Sequence, residues 1–185
     1  LDLMKDGQDL FDITSRTLIG MRGVLDKCLP DIVMVHGDTT TTLAAATASF
    51  YKNIPVWHVE AGLRTFDIRA PFPEEFNRRV AGIIADIHFA PTSLSKQNLM
   101  DEKIDESNIY VTGNTVIDSL HWVLNKIEST PSVQWRINSL LDGYLSFDWK
   151  NSKYVLVTGH RRENFGNGFL NICDAISDLA TKHPN

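Results

Sequence analysis

The chain has 185 residues, with 18 basic and 23 acidic side chains and a net charge of −5. Hydrophobic residues make up 43% and charged residues 22%, which is ordinary for a globular protein with enough chain to bury a core as one large domain or two small ones. The acidic balance excludes a general nucleic-acid binder. No apolar run reaches the length of about 18 residues that a membrane span needs. Any anionic ligand must then be held by local basic groups.

The elements alternate between helix and strand. Leu10, Ile13, Thr17, Leu18, Met21, Val24, Leu25 and Cys28 mark one face of a first helix. A strand is predicted over 31–36, a helix over 40–51, and a strand over 55–59. Residues 61–72 read as a long loop, and Pro73 as the first residue of a helix to about Ala85. A strand over 86–90 follows, then a helix to about Asp101 capped by Thr92 or Ser93, then a strand over 109–112. This rhythm implies right-handed βαβ crossovers and a parallel sheet.

The rhythm changes after Gly113, where a domain boundary is placed. A helix is expected over 115–127 and a short one over 133–141. A new strand is expected to begin at Tyr154, followed by a helix from Phe169 to Lys182. No signal peptide is expected from this sequence. A start at Leu1 without Met and an end at Asn185 just after a helix read as a piece of a longer protein.

Three short apolar runs stop at an ionisable residue: 33–37 at Asp38, 55–59 at Glu60, and 154–159 at His160. Such runs read as buried parallel strands, and ligands of open α/β sheets sit beyond the carboxyl ends of the strands. Asp38 opens a run of four Thr residues; its plain reading is a helix N-cap, although capping does not need four. Glu60 could be half of a surface pair with Arg64, worth little. Alternation would otherwise project His58 and Glu60 from one strand face. Glu74 and Glu75 suit the positive end of a helix dipole, and Glu74 gains interest only as a third carboxylate near the same rim. His160, Arg161 and Arg162 lead through a Gly-rich turn into a helix, a combination suited to phosphate.

Other chemistries find no support. Cys28 and Cys173 read as reduced, buried thiols of a cytoplasmic protein. His36, His58 and His88 read as hydrogen-bonded strand residues, and His121 and His183 as helix-surface residues. There is no Walker A loop, no dinucleotide fingerprint after a strand, no zinc motif and no nucleophile elbow.

Six segments in order carry a family resemblance: HGDTTTT (36–42), HVEAGLRT (58–65), PEEFNR (73–78), HFAPT (88–92), TGNTVID (112–118) and TGHRREN (158–164). Together they resemble the bacterial non-hydrolysing UDP-N-acetylglucosamine 2-epimerases. The resemblance implies an α/β, GT-B-like fold of two doubly wound, parallel-sheet, Rossmann-like domains. Residues 1–113 would be the latter part of the first domain and 114–185 the beginning of the nucleotide-binding second. It implies interconversion of UDP-N-acetylglucosamine and UDP-N-acetylmannosamine in a cytoplasmic homodimer, for surface polysaccharides, with no cofactor, metal, nucleic acid or membrane partner. The family's catalytic carboxylates correspond to Asp38, Glu60 and Glu74, and its catalytic or substrate-binding His to His160; Asp38, Glu60 and His160 would touch substrate. An earlier phosphate-site segment and a later nucleotide-gripping segment of the family do not occur here, so the isolated chain is expected to be inactive.

The hydrogen on sugar carbon 2 is not beside a carbonyl, so its direct removal is unfavourable. The family's route eliminates UDP to give 2-acetamidoglucal and then adds UDP back. It needs proton donors and acceptors on both faces of carbon 2, and positive charge beside the departing diphosphate. Which carboxylate serves which face stays open. The competing readings are a hydrolysing epimerase, a GT-B glycosyltransferase, and a non-catalytic UDP-sugar-binding module. Three carboxylates at the rim count against the last of these, because a diphosphate binder gains nothing from negative charge.

Overall fold

The computed structural model describes residues 1–3, 5–158 and 166–183. The chain divides into two compact units, Leu1–His121 and Trp122–Asn185.

The first unit opens with α1 (Leu10–Cys28), started by a capping box in which Asp9 and Asp12 each accept the other's backbone N–H. Four parallel strands follow: β1 (Val33–His36), β2 (Val56–Val59), β3 (Ile87–Ala90) and β4 (Ile109–Val111). They lie side by side in chain order. Val33 pairs with Val56 and His36 with Val59; His58 pairs with His88, and His88 with Ile109. The crossovers are α2 (Thr40–Tyr51), α3 (Glu74–Ile84) and α4 (Ser93–Asp101).

Period-two alternation decides which residues meet these helices. Val35 and Val56 pack with Ala46 of α2, and Ile84 of α3 closes the cluster. Ala90 and Ile109 pack with Leu99 of α4 and Ala61. The small Ala side chains of α2 let that helix approach the sheet closely: Ala44, Ala46 and Ala48 are all buried. The opposite sheet face carries an aromatic row, with ring centroids of Trp57 and Phe89 5.8 Å apart and those of Phe89 and Tyr110 6.0 Å apart.

Helix boundaries follow the chain's own stop signals. Thr92 caps α4 by accepting from the Ser95 N–H at 3.1 Å. Pro73 is the residue before α3 rather than its first, because its carbonyl already accepts from Asn77 N–H at 3.0 Å while its ring offers no donor.

The next helix, α5, runs Thr115–Ser129. The second unit contains α6 (Pro131–Tyr144) and α7 (Asn167–Lys182), so the short helix expected over 133–141 is longer at both ends. The strand expected from Tyr154 does not form among the described residues: 153–158 carry no regular structure, and Val155 and Leu156 are 86% and 80% exposed. A parallel strand exists only against a neighbour, and among the described residues none pairs with this run. Cys28 and Cys173 are exposed, not buried, since each lies on a solvent-facing part of its helix. No helix among the described residues is long and apolar enough to cross a membrane.

Candidate functional site

The carboxyl ends of β1 and β2 lie side by side, and the chain turns sharply after each. Gly37 takes a left-handed conformation (φ +72°) and its N–H donates to Val59 O at 2.9 Å, tying the two strand ends together. His58 lies buried beneath this turn, with Nε2 2.8 Å from Gly37 O. The helix cap of α2 is Thr39, not Asp38: Thr39 Oγ1 accepts from the Thr42 N–H at 3.2 Å. Thr42 Oγ1 in turn donates to His36 O at 2.7 Å. Two of the four Thr residues therefore brace the turn, and the Asp38 carboxylate is released from capping.

Asp38 instead faces α3. Arg78 Nη1 stands 3.2 Å from Asp38 Oδ2, and Asn77 Nδ2 donates to Asp38 O at 2.8 Å. Burial pushes the Asp38 carboxyl up from its ordinary value; Arg78 opposes the rise, while the charges of Glu74 and Glu60 add to it. Glu60 and Glu74, the other two carboxylates singled out in the sequence, thus act on Asp38 through space. All three are partly buried, which leaves each a face open to a ligand.

Glu60 reaches this cluster by breaking the strand pattern. Its φ is +67°, rare for a residue with a side chain, and strict alternation ends at Val59. Glu60 therefore does not project beside His58. Its Oε2 lies 3.3 Å from His36 Nε2, and that nitrogen is 3.5 Å from Thr115 Oγ1 at the start of α5. Arg64 is not the partner of Glu60. It forms a two-pronged pair with Glu102, Nε to Oε1 at 2.8 Å and Nη2 to Oε2 at 2.7 Å, with its side chain wholly buried.

Sequence reasoning passed over Glu75 and Arg78. Glu75 is completely buried and accepts from the N–H groups of Thr65 (3.1 Å) and Phe66 (3.2 Å) and from Arg78 Nε (2.7 Å). Burial opposes its ionisation, but bonds from Thr65, Arg78 and Phe66 outweigh burial and hold the carboxyl below its ordinary value. The available signal was the i, i+3 spacing of Glu75 and Arg78, which places them on one helix face. Reading Glu75 as a dipole partner hid it.

His160, Arg161 and Arg162 fall outside the described residues, so their expected places have no counterpart in this geometry. The helix after them, α7, starts at Asn167, with Gly166 before it at φ +83° and no side-chain cap. His58 and His88 are register partners in the sheet, both buried, and Nδ1 of each has no hydrogen-bond partner. Burial lowers the pKa of each, that of His88 to about 4, so both imidazoles are neutral near pH 7. Among the described residues, no group of three or more His, Cys, Asp and Glu side chains could hold a metal ion.

Comparison with known proteins places this geometry. A family model described as UDP-N-acetylglucosamine 2-epimerase matches residues 1–185. The UDP-N-acetylglucosamine 2-epimerase of Yersinia pestis is 53% identical over 184 residues, covering 100% of this chain and 48% of the relative. That of Escherichia coli K12 is 50% identical over 183 residues, covering 99% and 48%. Among solved structures, the Neisseria meningitidis UDP-GlcNAc 2-epimerase bound to UDP-GlcNAc superposes with a TM-score of 0.89 at 47% identity, covering 100% of this chain and 48% of that one. The Methanocaldococcus jannaschii enzyme, in complex with UDP-GlcNAc and UDP, gives 0.83 at 36% identity, covering 97% and 47%. These neighbours bear out the α/β, GT-B-like fold class. The chain spans about half the length of the relatives it matches. With its whole length matched, the chain belongs to the UDP-N-acetylglucosamine 2-epimerase family.

Proposed function

We propose that the complete protein interconverts UDP-N-acetylglucosamine and UDP-N-acetylmannosamine by eliminating and re-adding UDP. The observation that carries this reading is the convergence of Asp38, Glu60 and Glu74 at the ends of β1 and β2 and the start of α3, with the charges of Glu60 and Glu74 both acting on Asp38. In the forward direction one carboxylate takes the proton from sugar carbon 2. The bond between carbon 1 and the diphosphate oxygen breaks, its electron pair leaves with UDP, and a double bond forms between carbons 1 and 2. Oxygen of UDP then adds back to carbon 1 while a second acid delivers a proton to the other face of carbon 2. Three partly buried carboxylates, one paired with Arg78 and one beside His36, suit that division of labour.

His160, with Arg161 or Arg162, is assigned to the departing diphosphate, and Asp38, Glu60 and His160 to substrate contact. Residues 1–113 belong in this reading to the first domain and 114–185 to the second. A cytoplasmic homodimer supplying surface polysaccharide synthesis completes it.

Asp38→Asn and Glu60→Gln in the full-length protein should each lower turnover by about two orders of magnitude or more, the usual scale for acid/base groups. Near-parental turnover in both variants would discard the assignment. Product analysis by NMR separates the hydrolysing alternative: UDP-N-acetylmannosamine supports this reading, and free N-acetylmannosamine with UDP overturns it.

A further inference from the structure

Three residues in the first two turns of α3 address Asp38, and a fourth, Glu75, acts through one of them. Glu74 contributes a neighbouring charge. Asn77, 2% exposed, donates from Nδ2 to Asp38 O and fixes the backbone of the β1–α2 turn. Arg78 directs Nη1 to Asp38 Oδ2 at 3.2 Å. Its other two nitrogens, Nε and Nη2, both go to Glu75 Oε2, at 2.7 and 2.6 Å. Glu75 has no exposed surface and its two oxygens are further occupied by the Thr65 and Phe66 N–H groups.

This is more than an ion pair needs. A buried Glu–Arg pair is weak evidence for stability, because desolvation offsets its attraction. Here Glu75 fixes the guanidinium plane through two of its nitrogens, and the remaining nitrogen is aimed at a group outside the pair. The planar fork of Arg permits such division and a Lys ammonium does not. Glu75 also binds the backbone of the 61–72 loop that follows Glu60, so one buried carboxylate links the segments bearing Glu60, Glu74 and Asp38.

We infer that Glu75 and Arg78 are positioning residues for the reaction: Glu75 orients Arg78, and Arg78 holds the Asp38 carboxylate in place and in its ionised form. This rests on the reading of Asp38 as an acid/base group. The groups facing Asp38 are Arg78 and Glu74 from α3 and Glu60 from the end of β2, with His36 of β1 3.3 Å beyond Glu60. Two of these, Glu60 and Glu74, bring negative charge to Asp38, and Arg78 is the counter-charge. Removing it leaves Asp38 among acids; removing the Glu75 charge leaves Arg78 acting on Asp38 undivided.

The two substitutions therefore shift the Asp38 carboxyl in opposite directions, which loss of structure alone does not do. The test follows the Asp38 carboxyl by 13C NMR titration in the full-length protein, with Asp38→Asn assigning the resonance. Arg78→Gln should raise its midpoint by about one pH unit or more, Glu75→Gln should lower it, and Arg78→Lys should keep it closer to the parent than Arg78→Gln does. In kinetics, Arg78→Gln should reduce kcat about tenfold or more with a smaller change in KM.

An unmoved midpoint in folded Arg78→Gln overturns the inference. Should that variant not fold, Glu75→Gln and Arg78→Lys carry the same test, and a midpoint that rises or stays fixed in Glu75→Gln overturns it. If Asp38→Asn turns over normally, the acid/base reading fails and takes this inference with it. If Asp38→Asn is inactive while the midpoint ignores both α3 substitutions, the positioning inference alone fails.

Discussion

His36 Nε2 and Glu60 Oε2 stand 3.3 Å apart across the ends of two neighbouring parallel strands. The pair exists because Glu60 adopts φ +67°, which carries its carboxylate away from His58 and towards the mouth of the sheet. A side chain kept in the left-handed region costs about 1 kcal/mol or more relative to Gly and persists where the surroundings enforce it. Glu60→Gly should therefore leave stability within about 1 kcal/mol of the parent, or raise it, while lowering turnover about a hundredfold or more. Urea unfolding and an epimerase assay on the same preparation check both halves. A strongly destabilised variant would mean that Glu60 serves the fold.

His88 supplies a pH dependence with a definite sign. Burial lowers its pKa from 6.5 to about 4, so between those values the unfolded chain binds a proton that the folded chain refuses. The resulting stability is fully present above about pH 6.5 and is lost as the pH falls towards 4, at most about 3 kcal/mol. Burial shifts His58 in the same direction. Urea midpoints measured from pH 7.5 to 4.5 should fall, and His88→Gln should flatten that dependence. A parent whose midpoint does not fall across this window would show that His88 is protonated in the folded state.

Gly62 allows the chain to pass close to α4. It sits at φ +88°, Asn98 Nδ2 donates to its carbonyl at 2.9 Å, and a Cβ there would be driven into the Ser95 carbonyl. Gly62→Ala combines backbone strain with overpacking against main chain, which cannot swing aside, and should cost about 3 kcal/mol or more. Thermal unfolding measures it, and a loss below about 1 kcal/mol would contradict the geometry.

Arg64 and Glu102 form the two-pronged pair that fastens the 61–72 loop to the end of α4. The Arg64 side chain is wholly buried, while that of Glu102 is 27% exposed, so the pair is neither fully screened nor fully desolvated. Glu102→Gln should cost about 1–3 kcal/mol, chiefly by stranding a buried guanidinium. A double-mutant cycle with Arg64→Leu isolates the coupling, and a coupling near zero would place Arg64 in the role of packing alone.

The first unit was legible because its signals are local. Short apolar runs ending at His36, Val59 and Ala90 gave the strands, Thr39–Thr42 and Thr92 gave helix starts, and strand ends gave Asp38 and Glu60. The run from Tyr154 carried the same local signal and formed no strand, since pairing depends on a neighbour that the run itself does not encode. Glu75 and Arg78 escaped notice for a related reason. Their partners, Thr65, Phe66 and Asp38, lie 10, 9 and 40 residues away. A dipole argument about the first turn of α3 cannot see them. Glu60 was found by position, but its direction depended on a φ angle that residue type argues against.

The central claim is that acids at the ends of β1 and β2 exchange the hydrogen on sugar carbon 2 with solvent while UDP departs and returns. Incubating the full-length protein with UDP-N-acetylglucosamine in D2O and reading carbon 2 by NMR tests it most directly. Deuterium should appear at carbon 2 of the product, and the rate should fall about a hundredfold or more in Asp38→Asn and Glu60→Gln. Epimer formed with the original hydrogen retained, or exchange undiminished in both variants, would contradict the account.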